Sequence, residues 1–201
     1  EGWNDAASAA SEAAGWLTRQ FGATKMASMD PEEHFDFQSA RPTVELVDGV
    51  TRDLTWPANE FYAVPVDARD IVVLRGVEPN LRWPSFCREV LGVAGETGCE
   101  MVVTLGALLA DVPHTRPVRV TGATTDPELM PSLHLQRSRY EGPTGIVGVL
   151  HDTARATGIA SASLWAPVPH YVSTPPNPLA TRALLDRLGA HATALGRPAP
   201  A

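Results

Sequence analysis

A short polar loop carries the residues whose types and spacing best suit chemistry in this sequence. Asp111, His114 and Arg116 fall within six positions, framed by Pro113 and Pro117. An acid, an imidazole and a guanidinium at this spacing could perform general acid–base chemistry or capture a carboxylate or phosphate. The same composition is typical of a surface crossover loop that binds no ligand, so both interpretations stay open.

A buried strand leads directly into this loop. Within Met101–Arg119, the residues Val102, Val103 and Leu105 favour a strand, and the apolar run continues to Leu109. In α/β proteins, polar groups at the carboxyl end of a buried strand commonly line a crevice. The sequence therefore predicts a ligand pocket at this strand end.

A second apolar strand ends in a similar polar turn. The strand predicted at Asp70–Arg75 is followed by Glu78, Asn80 and Arg82, and a predicted helix then leads to the strand at Met101. In a parallel sheet the two strand ends lie at the same edge. We therefore expect the polar side chains of this turn to join the pocket.

The glycine-rich segment Tyr140–Gly148 precedes a predicted helix and contains Glu141 and Thr144, with Thr144 as the expected helix cap. Its glycines match neither the dinucleotide fingerprint nor a P-loop, which requires Lys-Ser/Thr. A helix start of this kind can bind an anion through its free amides. Glycines on a helix face also allow tight packing, so the segment has two open interpretations.

Polar residues at both ends of the chain complete the predicted pocket. The first helix, predicted over Gly2–Phe21, begins near Asn4 and Asp5, which could cap it or touch a ligand. His170 follows the last predicted strand, Ile159–Ala166. The pocket candidates are Asn4, Asp5, Glu78, Asn80, Arg82, Asp111, His114, Arg116, Glu141, Thr144 and His170.

Acidic residues cluster at the start of a short helix predicted after the strand Thr24–Met29. Asp30, Glu32, Glu33 and Asp36 could form a catalytic cluster. First-turn acids also stabilise a helix dipole without any chemistry. The sequence alone leaves both possibilities.

The clearest local structure is a β-hairpin over Thr43–Trp56. Asp48-Gly49 lies between two alternating runs, in which Val44 and Leu46 flank Glu45. Asp-Gly between alternating hydrophobic residues is the strongest short-range hairpin signal. We expect this hairpin to pack at an edge of the fold or to meet a partner.

Composition limits the classes of function. The chain has 201 residues, a net charge of −7 and 19% charged residues, which fits one domain over residues 1–201 with a substantial core. The acidic balance disfavours nucleic-acid binding. No 18-residue apolar run is present, so we expect no membrane span. Cys87 and Cys99 without metal-ligand spacing are typical of a reducing compartment, and we predict a cytoplasmic protein.

The usual signatures of several enzyme classes are missing from the sequence. Six histidines are scattered without metal-ligand spacing, so no metal site is expected. There is no Gly-x-Ser-x-Gly elbow. No cofactor is predicted, and enzymatic activity is the less favoured hypothesis. The sequence opens at Glu1 without an initiator Met or signal-like segment, and we expect a preceding strand to be missing.

Several blocks along the whole chain resemble the actinobacterial branch of the proteasome assembly chaperone two family. The resembling blocks are Glu1–Ala6, Asp36–Asp53, Glu78–Trp83, Leu105–Arg116, Tyr140–Leu150 and Val168–Val172. The resemblance implies a three-layer α/β/α fold with a mixed, mostly parallel central sheet, like that of nucleoside phosphorylases. It also implies a homo-oligomer, with a trimer as the expected state, and family members usually carry a strand just before the first block.

Two hypotheses of different classes follow. The first is a non-enzymatic homo-oligomeric assembly or interaction module, linked to proteasome-related proteins, with the hairpin as its interface. The second is a protein or enzyme on a phosphorylase-like scaffold that binds a nucleoside, nucleotide or phosphate in the predicted pocket. The first is favoured because no nucleophile or complete catalytic constellation can be read, and a fold alone cannot supply one.

Overall fold

The computed structural model describes residues 4–66, 70–124, 130, 136–137 and 141–195. The helices in this part of the chain are α1 (Ala9–Gln20), α2 (Pro31–His34), α3 (Trp83–Glu96), α4 (Ile146–Thr157) and α5 (Pro178–Leu195). The strands are β1 (Thr24–Ser28), β2 (Thr43–Val47), β3 (Thr51–Thr55), β4 (Asn59–Val64), β5 (Ile71–Gly76), β6 (Met101–Ala110), β7 (Thr121–Thr124), β8 (Gln136–Arg137) and β9 (Ala160–Pro169). A single 3-10 turn, Ala6–Ser8, precedes α1.

A mixed four-stranded sheet has the order β6-β9-β7-β8. β6 and β9 are parallel over their whole length, from the pair Met101 and Ala160 to the pair Ala110 and Pro169. β7 is antiparallel to β9 and parallel to β8. The predicted mixed α/β fold is therefore confirmed.

A separate sheet has the order β1-β4-β5, and both of its pairings are antiparallel. The expectation that the strand at 70–75 would lie beside β6 is wrong for the described strands, because β5 pairs with β4 instead. The link between β4 and β5 spans only residues 65–70. A short link suits antiparallel neighbours, whereas parallel neighbours require a crossover of a dozen or more residues.

Helices cover the strands through two apolar clusters. Alternate residues of β6 point in opposite directions: Val103 and Leu105 pack in one cluster with α1 and α5, and Val102 packs in the other with α3 and α4. Ala9 and Ala13 of α1 are fully buried in the first cluster. In the sequence, Ala6, Ala9, Ala10 and Ala13 repeat at helical spacing, and these small side chains let α1 approach the sheet closely.

The predicted hairpin is confirmed as β2 and β3. Its register runs from the pair Thr43 and Thr55 to the pair Val47 and Thr51. Asp48 and Gly49 have φ values of 55° and 72°, the left-handed conformations of a tight turn, and Val50 follows them as the third loop residue between the paired Val47 and Thr51. The described residues of both strands are exposed.

Several predicted boundaries shift. The sequence also favours a short strand at Val118–Thr121, and this strand is found as β7, three residues later. Gly145, not Thr144, occupies the N-cap of α4. Residues 124–135, where the sequence favours a helix or turn, and the C-terminal tail fall mainly outside the described residues. Among those residues, no helix is long and apolar enough to cross a membrane.

Candidate functional site

Two predicted residues, His114 and His170, meet around a tyrosine at the carboxyl ends of β6 and β9. The Tyr171 hydroxyl accepts a hydrogen bond from the His114 backbone N–H at 2.9 Å and lies 3.2 Å from His114 Nδ1. The Tyr171 ring also stands edge-on to the His170 ring, with centroids 5.3 Å apart. All three side chains are exposed. Tyr171 thus joins the two loops, although it was not among the predicted site residues.

Asn4 and Asp5 approach the same end of β6 from its other side. The Asn4 carbonyl accepts a hydrogen bond from the Ala107 N–H at 2.8 Å, and Asp5 forms a parallel bridge with Ala107. The Asp5 carboxylate accepts hydrogen bonds from Ala10 N at 2.6 Å and Ser11 N at 2.8 Å. Asp5 therefore caps α1, one of the two roles predicted for it.

The turn after β5 and the glycine-rich turn before α4 come together. A Cβ built on Gly145 would lie 3.5 Å from Glu78 Oε1, so this carboxylate sits beside the start of α4. Gly148 is required for close packing, because a Cβ built on it would lie 1.9 Å from Thr144 Oγ1. Thr144 thus packs on α4 rather than capping it.

Asn80 and Arg82 turn toward α2. Asn80 Oδ1 accepts a hydrogen bond from Asp36 N at 3.2 Å, and the Asn80 N–H donates to the His34 carbonyl at 3.0 Å. The Arg82 guanidinium pairs with Glu33. These contacts fasten α2 to the turn before α3, which gives both residues a structural role.

The other predicted residues lie on exposed loops. Asp111, Arg116 and Glu141 are exposed, and the Arg116 N–H closes a turn onto the Pro113 carbonyl at 3.2 Å. Chain direction places these loops at one end of the sheet. α3 and α4 each lead into one of the parallel strands β6 and β9, so the start of each helix lies toward the carboxyl ends of those strands.

The acidic cluster predicted at the start of α2 serves the helix itself. Asp30 Oδ1 accepts a hydrogen bond from Glu32 N at 2.9 Å, as a helix cap does, and Glu33 binds Arg82. No group of three or more His, Cys, Asp or Glu side chains that could hold a metal ion occurs in the described part of the chain.

A second surface feature escaped the sequence analysis. A groove of about 320 Å³ lies between β1 and α3 and includes Glu89, Gly92 and Glu96. Beside it, the His34 ring is buried, and its Nε2 lies 3.1 Å from Glu89 Oε1. The seven-residue spacing of Glu89 and Glu96, two helical turns, was visible in the sequence, but the strand that α3 would face was not.

Comparison with known proteins identifies relatives along the whole chain. A family model described as the PAC2 family matches residues 1–194. The chain is 48% identical to a PAC2 family protein of Streptomyces avermitilis, covering 98% of this chain and 91% of that one with a TM-score of 0.88. It is 46% identical to a Mycobacterium tuberculosis proteasome-assembly chaperone homologue, covering 100% and 84% with a TM-score of 0.88. A search of curated proteins gives no match.

A more distant structure shares the fold. Pyrococcus furiosus PbaA, an archaeal homolog of proteasome-assembly chaperone, is 18% identical and has a TM-score of 0.67, covering 99% of this chain and 81% of that one. The family match over nearly the whole chain and the two close actinobacterial structures agree with the blocks noted in the sequence. The chain belongs to the PAC2 family, the proteasome assembly chaperone two family.

Proposed function

We propose that this protein is a non-enzymatic, homo-oligomeric interaction module that acts in the assembly of proteasome-related proteins in the cytoplasm. Two structural relatives, a proteasome-assembly chaperone homologue of Mycobacterium tuberculosis and the archaeal homolog PbaA of Pyrococcus furiosus, support this role. Two free cysteines in the described residues fit a reducing compartment. The proposal includes one domain over residues 1–201 with a three-layer α/β/α, phosphorylase-like arrangement, supported by the packing of helices on both sides of β6.

The observation that carries self-association is the apolar face of the β2–β3 hairpin. Val44 pairs across the hairpin with Leu54, and Leu46 is the next residue on the same face. These side chains are 52%, 45% and 63% exposed, respectively. A two-stranded hairpin is marginally stable in water on its own. An exposed apolar face on such a hairpin is therefore expected to be buried against another protein surface.

A second copy of the chain is the occupant that we propose for this face. Most soluble oligomers are closed assemblies of identical chains. The opposite hairpin face places Glu45 directly across from Asp53, and this like-charge pair favours contact with solvent. The face with Val44, Leu46 and Leu54 also carries Arg52 but is the more apolar of the two, which favours it as the interface, and a trimer is the expected assembly.

Analytical ultracentrifugation of the purified chain tests this proposal. Wild type should sediment at about three times the 21.5 kDa chain mass. Leu46→Lys should yield monomers with an unchanged circular dichroism spectrum, because it buries a charge at the interface. Glu45→Lys, on the solvent face, is the matched control and should remain assembled. A monomeric wild type, or assembly that survives Leu46→Lys, would contradict the role of the hairpin.

The proteasome link has its own test. Purified proteasome subunits from the source organism should co-migrate with the wild-type protein in gel filtration. Failure to bind any subunit, in a sample whose oligomeric state is intact, would remove this part of the proposal while leaving self-association in place.

A small-molecule site is the second candidate, favoured by two contacts at the carboxyl ends of β6 and β9. His114 and His170 meet at Tyr171, and Glu78 lies beside Gly145 at the start of α4. Thermal-shift measurements with phosphate, nucleosides and nucleotides test this candidate, since a bound ligand raises the melting temperature. A shift that is lost in His114→Ala would support a site there, and no shift at millimolar ligand would argue against it.

A further inference from the structure

The groove between β1 and α3 combines free volume with an apolar floor. Its volume is about 320 Å³, and Met29 and Phe61 at its base are buried. Val93 adds an apolar side chain from α3. Gly92 keeps the helical wall open, because a Cβ built there would meet no atom within 4 Å. A side chain entering the groove would find space and apolar contact.

The strand that borders this groove is a sheet edge. Among the described strands, β1 pairs with β4 alone. Just after β1, the Met29 N–H donates to the carbonyl of Asn59, the first residue of β4, at 2.9 Å. Because peptide groups alternate along a strand, those of Ser28 point away from β4 toward the open side, and Ser28 is exposed. An exposed edge of this kind is a template for one more strand.

The ionisable side chains that line the groove are all acidic: Asp30, Glu89 and Glu96. The lysine of the edge strand does not offset them. Lys25 binds Glu60, and its register partner on β4 is Tyr62. A bulge between Lys25 and Ala27 interrupts the alternation of side-chain directions along β1. Ala27 lines the groove, and Lys25 does not. The groove therefore attracts positive charge.

We propose that this groove binds an extended basic peptide segment of a partner protein, which adds to β1 as an antiparallel or parallel strand. Its backbone would pair with Ser28, an apolar side chain would rest against Gly92 and Val93, and flanking Lys or Arg side chains would meet Glu89 and Glu96. Strand addition between a sheet edge and a helix is an established mode of peptide recognition. A second copy's hairpin fits poorly, because it presents Glu45 and Asp53 to the acidic groove. The inference does not depend on self-association through the β2–β3 hairpin.

Fluorescence anisotropy with a labelled probe tests this inference. The probe is a fluorescein-labelled, acetylated hexapeptide of alternating lysine and valine. Two control peptides carry glutamate in place of lysine, or N-methylated valines that cannot donate backbone hydrogen bonds. The lysine peptide should bind in the micromolar range, weaken with added salt, and exceed both controls in affinity by about tenfold or more.

Matched variants localise the binding. Gly92→Gln fills the groove and should weaken binding at least about tenfold, since glutamine is a better helix former than glycine and the fold should persist. Gly95→Gln makes the same change three residues later, at another open helical position that does not line the groove, and should bind as wild type. Glu96→Lys should weaken binding and reduce its dependence on salt.

Hydrogen exchange provides a second readout. The bound lysine peptide should slow exchange of the Ser28 amide, because strand addition gives that amide a partner. Equal binding to Gly92→Gln, equal affinity for the glutamate peptide, protection confined to the hairpin, or no binding at about 1 mM probe would each overturn the proposal.

Discussion

The indole ring of Trp165 on β9 covers Gly106, its register partner on β6. A Cβ built on Gly106 would lie 2.2 Å from Trp165 Cζ3, closer than atoms can approach. Gly106→Ala should therefore force the ring or strand to shift and lower the free energy of unfolding by about 1–3 kcal/mol. Chemical denaturation measures this loss. Gly95→Ala, at an open helical position, should be neutral or stabilising by up to about 1 kcal/mol, and equal effects of the two changes would contradict this account.

The Asp5 carboxylate holds the first turn of α1. It accepts hydrogen bonds from the Ala10 and Ser11 amides, which have no carbonyl partner within the helix. Asp5→Ala should lower the free energy of unfolding by about 1 kcal/mol, as loss of a helix cap does. Glu12→Gln, which breaks an exposed pair with Arg19 and removes a first-turn charge, should change it by about 0.5 kcal/mol or less. If Asp5→Ala were more stable than wild type, the Asp5 carboxylate would lower the stability of the fold, which would indicate that it serves a ligand instead.

His151 on α4 makes the stability of the fold depend on pH. Burial lowers the pKa of this imidazole from 6.5 to about 4, and its Nε2 lies 3.0 Å from Thr104 Oγ1. Between these pH values the unfolded state binds more protons, so the free energy of unfolding falls as the pH drops from about 6.5 to 4. The loss attributable to His151 is at most about 3 kcal/mol.

His151→Gln should flatten this part of the pH profile, since glutamine can still bond to Thr104 but does not ionise. Urea denaturation at a series of pH values measures the slope. Above pH 7.5 the difference between variant and wild type should be constant, because the imidazole is then neutral in both states. A wild-type slope retained in His151→Gln would assign the pH dependence to other groups.

The two cysteines should differ in reactivity. Cys87 is fully buried, and burial raises the pKa of its thiol, which suppresses the reactive thiolate. Cys99 is only half-buried, with its Sγ 3.2 Å from Thr97 Oγ1. A thiol-reactive disulfide reagent should modify one thiol per folded chain and two after denaturation. Cys99→Ser should abolish the modification of the folded protein, whereas two thiols reacting at similar rates would show that α3 opens readily.

Local patterns in the sequence predicted the local elements well. Asp48-Gly49 specifies its hairpin because only the turn residues need left-handed conformations. The alanine spacing of α1 gave its buried face, and the apolar run from Met101 gave the strand β6. Each of these signals is contained within a few turns or one strand pair.

Relationships between distant residues were harder to predict. The contact between His114 and Tyr171 joins positions 57 residues apart, and nothing near either residue specifies the other. β5 pairs with β4, the strand to which it is joined by a short link. The apolar run that predicts β5 does not indicate which strand lies beside it. The groove beside α3 required both the edge position of β1 and the helix orientation, neither of which is a local property.

Helix α1 packs against β5 on one sheet and β6 on the other. Leu17 at its end belongs to an apolar cluster with Val64 and Val73, whereas Ala9 and Ala13 near its start pack with β6 and β9. Because α1 packs against both sheets, local unfolding of one sheet removes contacts of α1. The loss of these contacts then destabilises the other sheet. The molecule should therefore melt in a single cooperative transition, with the calorimetric enthalpy equal to the van't Hoff enthalpy.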